Sequence, residues 1–392
     1  MTSLDNAIDI LETLIAFDTV SKRSNLKLIH YVEQYLETHG VESTLIYNEE
    51  QDKANLYATI GPTDTPGICL SGHSDVVPAQ GQNWNYPAFE LTRSGDRLYG
   101  RGTADMKSYL AVMLACLPLF IKYAKKIPFH FAISHDEEIG CVGVRSLIEY
   151  LDKQSIKPLG CIIGEPTNME LAVAHKGKQA WRVHVKGKAG HSALTQQGVN
   201  AVEYGARLIS YITDQAIQRQ HDGPFDEQFI PPYSTIHTGL FNGGTALNII
   251  PDKSALEFEI RNIPQEAPEQ FFKQVKQHSD THLLAQMHKI DEQSRIDFEE
   301  TVNYPALTER VEHLPFQQTI AQLLNSTKTK TISFGTEGGL FQSIGIPTVV
   351  CGPGSMDQGH KADEYIEISQ IKQCIDFMTR LAEQSQDLFA PR

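Results

Sequence analysis

Histidines and carboxylates recur in this sequence directly after short apolar runs. Ile68-Cys69-Leu70 is followed by Ser71-Gly72-His73-Ser74-Asp75. Phe131-Ala132-Ile133 is followed by Ser134-His135-Asp136-Glu137-Glu138, and Cys161-Ile162-Ile163 by Gly164-Glu165-Pro166. Val349-Val350-Cys351 leads into the loop Gly352-Pro353-Gly354 and then His360. In open α/β sheets, sites form outside the carboxyl ends of the strands. Imidazole and carboxylate donors gathered at such an edge make a plausible metal constellation. Each piece alone has a plainer reading. A His after a strand is usually a surface or hydrogen-bonded residue, and Glu137-Glu138 is usually a solvated turn. Recurrence at one sheet edge is what points to a site.

Two further spacings bear on mechanism. Residues two apart at a strand end point the same way. The carboxylate of Asp75 can then accept the free imidazole N–H of His73 and orient the ring. Asp105 follows the turn Gly100-Arg101-Gly102-Thr103-Ala104. It reads either as a cap on the helical run that begins near Ser108 or as a carboxylate reaching two cations about 3.5–4 Å apart.

The elements that must position these residues follow from periodicity. Ile8–Phe17, Leu26–His39 and Ser108–Lys125 have helical spacing. Gly67–Ser71, Phe129–Ser134 and Gly160–Gly164 read as buried strands. This alternation predicts an α/β domain with a largely buried sheet. From Lys176 the pattern changes. Strands are expected at Gln179–Lys186, Ser234–Leu240, Ser254–Arg261 and Ser294–Glu299, with helices at Asn200–Thr213 and Glu266–His278. That β-α-β-β-α-β order is ferredoxin-like, so residues 176–301 read as an inserted α+β domain. Phe316–Leu324 (helix), Pro347–Cys351 (strand) and Ile368–Gln384 (helix) return to α/β character. The expected catalytic domain is therefore 1–175 plus 302–392.

Bulk properties narrow the classes. A chain of 392 residues favours two domains. The formal charge of -14 disfavours nucleic acid as a partner. No apolar run approaches membrane-spanning length, and the N-terminal stretch reads as an amphipathic helix rather than a signal peptide. The six cysteines are widely spaced with no CxxC pair, which predicts buried reduced thiols in the cytoplasm. No Walker-type phosphate loop is present, and GRGTAD lacks the full GxGxxG spacing.

A set of segments running across nearly the whole chain carries a resemblance. They are GHSDVVP (72–78), YGRGTADMK (99–107), DEE (136–138), GEPT (164–167), AHKG (174–177), GHSA (190–193), GVNAVE (198–203), GGTALNIIP (243–251), EIR (259–261), GPG (352–354) and HKADEY (360–365). In this order they resemble the dizinc aminoacylase and carboxypeptidase family, and within it the acetylornithine deacetylase branch. The resemblance implies two divalent ions per chain, zinc or alternatively cobalt. His73 and Glu165 would bind one, Glu138 and His360 the other, and Asp105 both. Asp75 would orient His73, and Glu137 would be the general base. It implies a mostly parallel central sheet flanked by helices, with the inserted domain serving as lid and homodimer surface. His191 is similar to the family's lid histidine, which donates to the oxyanion, in several members from the partner subunit. Asn248 and Arg261 are similar to lid residues that grip the substrate, and an arginine fork suits an α-carboxylate. Backbone N–H groups around Gly352–Ser355, that of Gly354 among them, are expected to assist.

The implied reaction is release of acetate from an N-acetylated amino acid, N-acetylornithine to ornithine in arginine biosynthesis. Thr336-Glu337 resembles that branch, with Glu337 expected to meet the side-chain amine. GGTALNIIP equally resembles succinyl-diaminopimelate desuccinylases, so a desuccinylase or a broader N-acyl amino acid deacylase or carboxypeptidase is the alternative. Two other classes are a catalytically inactive relative acting as a binding module and a thiol-dependent or nucleotide-binding α/β protein.

Overall fold

Strands that are apolar at every position must be covered on both faces. Ile68–His73, Phe129–Ser134, Gly160–Pro166 and Thr348–Gly352 are buried at every residue. In a computed structural model, which describes residues 4–389, they form the centre of an eight-stranded sheet. The ends of the two expected catalytic segments, residues 1–3 and 390–392, lie outside the described residues.

The sheet order is Ser43–Tyr47, Ala54–Ile60, Phe129–Ser134, Ile68–His73, Gly160–Pro166, Thr348–Gly352, Leu171–His175, Thr329–Ile332. The four central strands run parallel, whereas Phe129–Ser134 pairs antiparallel with Ala54–Ile60, Ala54–Ile60 with Ser43–Tyr47, and Thr348–Gly352 with Leu171–His175. Register sets His73 opposite Ser134. Helices Leu4–Ala16, Lys107–Ala115 and Ile368–Leu388 pack their apolar faces into the core. All six cysteines are buried.

One expected element is divided. The helical run Ser108–Lys125 is two helices, Lys107–Ala115 and Leu117–Tyr123, with Pro118 in the first turn of the second. Proline has no N–H to bond the carbonyl of Leu114, so the first helix ends just before it. Strands Ser43–Tyr47 and Ala54–Ile60 were not expected from periodicity and extend one margin of the sheet.

Contacts divide the chain into two compact units. One comprises residues 1–174, 307–331 and 336–392. The other comprises 175–306 and 332–335. In the second, strand order is Thr235–Gly243, Lys253–Asn262, Gly177–Lys186, Arg295–Tyr304, and every neighbour is antiparallel. With helices Ala201–Asp222 and Pro268–His278 this is the ferredoxin-like arrangement. Asn200 caps the longer helix by accepting from Val202 and Glu203 N–H at 3.1 and 3.2 Å. Gly177–Lys186 alternates, and its inward Trp181, Val183 and Val185 meet Leu208, Phe258 and Phe271. No helix among the described residues is long and apolar enough to cross a membrane.

In the first unit, His130 lies on the central-sheet strand Phe129–Ser134, 7% exposed, with Nδ1 3.1 Å from Thr59 Oγ1. Burial pushes its pKa from 6.5 down to about 4. Below pH 6.5 the unfolded chain takes up a proton here that the folded chain refuses until about pH 4. Stability must fall as pH drops through that window, by on the order of 3 kcal/mol for this one group. In metal-free protein, His130→Gln is expected to show a shallower loss of denaturant stability over the same range. An unchanged slope would contradict the assignment.

Candidate metal centre

The carboxyl ends of the central strands gather four carboxylates and two imidazoles. His73 ends strand Ile68–His73 and is 1% exposed. Its Nδ1 is 2.8 Å from the carbonyl oxygen of Asp75, and because a carbonyl only accepts, Nδ1 carries a proton. Nε2 turns the other way, toward Asp105 Oδ1 at 3.0 Å, Glu165 Oε1 at 3.4 Å and Glu137 Oε2 at 4.0 Å. His360 Nε2 lies 3.1 Å from Asp105 Oδ2 and 3.0 Å from Glu138 Oε2. Asp105 therefore presents one oxygen to each imidazole. Donor atoms of His73, Glu137 and Glu165 lie within 4.8 Å of one another, as do those of His73, Asp105 and Glu138.

Burial dominates the electrostatics. It pushes Glu138 up to about 7 and Glu165 up to about 8, with the charge on Asp105 adding to each. Burial and the neighbouring Glu165 push Glu137 well above the usual carboxylate range. Burial also works upward on Asp105, but hydrogen bonds from His360 and His73 outweigh it and hold that carboxyl below its ordinary value. Asp105 and Glu138 raise His360 to about 11. Among the described residues, none of these carboxylates has a Lys or Arg partner, and Glu138 Oε1 is buried with no hydrogen-bond partner. An orphaned buried oxygen, uncompensated buried charge and an oxygen–imidazole donor set together fit divalent cations.

Asp75 differs from expectation. Its carboxylate is 3.6 Å from His73 Nδ1, and the ring is held by its main-chain carbonyl instead. Strand pairing stops at His73, so the two-residue alternation does not extend to position 75. The carboxylate accepts the N–H groups of Glu137 at 3.1 Å and Glu138 at 3.3 Å, and the Ser21 hydroxyl at 2.7 Å. It clamps the loop that carries both glutamates. That loop begins at Asp136, in left-handed backbone at φ 54 and paired with Lys53 at 2.6 Å. The thiol of Cys141 donates to Glu137 Oε1 at 3.3 Å. Ser21, Lys53 and Cys141 are functional neighbours that no local motif announces.

Two expected substrate contacts are corrected. Glu337 is 1% exposed and accepts the hydroxyls of Ser71, at 3.2 Å, and Ser134. A carboxylate packed behind the strand ends cannot meet a substrate amine. The N–H of Gly354 donates to Gln370 Oε1 at 3.2 Å, so it is not open to a ligand. In the second unit, His191 is exposed and its Nδ1 accepts from Ala193 N–H at 3.0 Å. The carbonyl of Asn248 accepts from Ser192 N–H at 3.2 Å, which sets Asn248 beside His191. Arg261 Nε donates to Glu259 at 2.9 Å, which leaves the outer edge of its fork for another acceptor.

Comparison with known proteins identifies the family and the fold. Residues 69–384 match peptidase family M20/M25/M40. A curated relative, acetylornithine deacetylase of Aliivibrio salmonicida (strain LFI1238), is 31% identical over 93% of each chain. An M20 family metallo-carboxypeptidase from Sulfolobus solfataricus superposes with a TM-score of 0.78 at 18% identity, over 97% of this chain and 99% of that one. A dinuclear metal-binding M20 peptidase from Bacillus subtilis gives 0.68 at 14% identity, over 97% and 98%.

The clamp at Asp75 has a direct test. Asp75→Asn keeps one acceptor but turns an amide donor toward N–H groups, so the loop should shift. Turnover is expected to fall about 10–100-fold while metal content holds. Parallel loss of metal would instead restore a direct carboxylate–imidazole role.

Proposed function

The chain belongs to peptidase family M20/M25/M40, a family of metallohydrolases, and on that premise we propose that it is a two-metal deacetylase of N-acetylated amino acids with N-acetylornithine as substrate. The observation that carries the reaction class is Asp105, which turns one carboxylate oxygen to each of two imidazoles inside a buried acidic cluster. The relative named acetylornithine deacetylase, similar over nearly its full length, supports the substrate.

In this reading His73 and Glu165 hold one cation, Glu138 and His360 the other, and Asp105 both; zinc is the metal the donors suit, with cobalt as the substitute. Bound divalent ions supply a water of lowered pKa and polarise the scissile carbonyl. Glu137, held by the Asp75 clamp and the Cys141 thiol, accepts the water proton and passes it to the leaving nitrogen. His191 donates to the developing oxyanion, and Arg261 and Asn248 grip the substrate carboxylate. Leu240 and Phe241, 54% and 38% exposed on edge strand Thr235–Gly243, support a homodimer through the second unit. The enzyme acts in arginine biosynthesis in the cytoplasm.

One observation favours a second reading, a deacylase of wider side-chain range. Glu337, the residue expected to select a basic side chain, is buried. Kinetics on N-acetylornithine, N-acetylcitrulline, N-succinyl-diaminopimelate and N-acetylmethionine separate the two. The proposal expects the highest kcat/KM on N-acetylornithine, and no activity there would overturn it. Comparable values across the acetylated panel would select the wider deacylase. Glu137→Gln should lower kcat by about 10²–10⁴ with metals retained.

A further inference from the structure

We propose that the buried Arg101–Glu364 ion pair positions two members of the metal centre, Asp105 and His360. This rests on the two-metal reading above. Both side chains are 1% exposed, and Arg101 Nη1 lies 2.7 Å from Glu364 Oε2. The pair belongs to no set of expected ligands, yet it touches both segments that carry Asp105 and His360.

The Glu364 side acts on Asp105. Its second oxygen, Oε1, accepts the N–H groups of Ala104 at 2.9 Å and Asp105 at 3.1 Å. Its main-chain carbonyl accepts from Gly100 at 2.9 Å. Charge-assisted bonds of this kind are short and strong, so the backbone of Asp105 cannot move without breaking them. The Arg101 side acts on His360. Nη1 also donates to the carbonyl of Lys361 at 3.2 Å, and Nη2 donates to Gln82 Oε1 at 2.6 Å. Gln82 Nε2 then donates to the carbonyl of His360 at 3.0 Å. The Trp84 ring lies 4.9 Å from the guanidinium carbon and covers it.

The two halves of the centre are thus held by different means. His73 and Glu165 sit on strands Ile68–His73 and Gly160–Pro166 of the central sheet, with His73 in register with Ser134. His360 sits on a loop in left-handed backbone, φ 61, with its side chain 49% exposed. Its own packing does not fix the imidazole, so its place comes through Gln82 and Arg101. Removing one partner of a buried pair also strands the other charge, which the loops would move to relieve.

The test is zinc affinity, read by competition with a chromophoric chelator on the full-length chain. The parent is expected to show two dissociation constants. In Glu364→Gln, which frees the Asp105 backbone that serves both cations, both should weaken about 10–100-fold. Gln82→Ala, at the partly exposed rim, reaches His360 alone and should weaken one constant while the other holds, with little risk to folding. In a His360→Ala background, where that half is already lost, Gln82→Ala should leave the remaining constant unchanged. The proposal is overturned if Gln82→Ala moves both constants alike, or if no constant moves in either variant. A parent that binds fewer than two zinc ions would instead sink the two-metal reading itself.

Discussion

A buried excess of negative charge governs this fold. Asp105, Glu137, Glu138 and Glu165 share one pocket with His73 and His360, and no lysine or arginine among the described residues pairs with them. Two like charges 4 Å apart repel by about 4 kcal/mol at an effective dielectric near 20. Several such pairs would either neutralise by protonation or force the loops apart. Divalent cations remove the conflict, and the burial that raises Glu138 and Glu165 is the same burial that makes cation binding favourable. The carboxyl ends of four parallel strands are the place where such a cluster can be assembled without opening the sheet.

Holding that cluster requires two kinds of scaffold. Sheet register fixes His73, Glu165 lies near the end of the neighbouring strand Gly160–Pro166, and Glu337 ties Ile68–His73 to Phe129–Ser134 through Ser71 and Ser134. The loop ligands depend on buried polar networks. Asp75 and Ser21 fix the Glu137–Glu138 loop, Lys53 grips Asp136, and Arg101 with Glu364 joins the segments that carry Asp105 and His360. Asp136, Cys141, His360 and Asp363 all adopt left-handed backbone without being glycine. Such conformations persist only where the surroundings over-determine them. The strain falls in the segments that deliver or flank ligands.

What was legible in the sequence follows from range. Ile68–Leu70, Phe131–Ile133 and Cys161–Ile163 are continuous apolar runs, so the central strands and the residues after them could be read locally. The alternation in Gln179–Lys186 reported a sheet with one buried face for the same reason. Pro118 was visible, but the apolar run around it hid the break between two helices. Ser43–Tyr47 is a half-exposed edge strand with no clean period, and it escaped. Partners far apart in the chain were the hardest. Glu337 carries a motif that suggests recognition, whereas its contacts with Ser71 and Ser134 exist only after folding. Arg101 and Glu364 lie inside recognised segments, but nothing in those segments says that each completes the other. Asp75 was singled out correctly as a neighbour of His73, and only the chain turn after the strand reveals that its carboxylate serves a different loop.

The central claim is that this acidic pocket exists to hold two cations. Metal analysis of the purified full-length chain after exhaustive dialysis tests it most directly. About two divalent ions per chain are expected, with both reduced in Asp105→Ala, because that carboxylate faces both imidazoles. A parent chain that retains one ion or none, or an Asp105→Ala chain that still holds two, would contradict it.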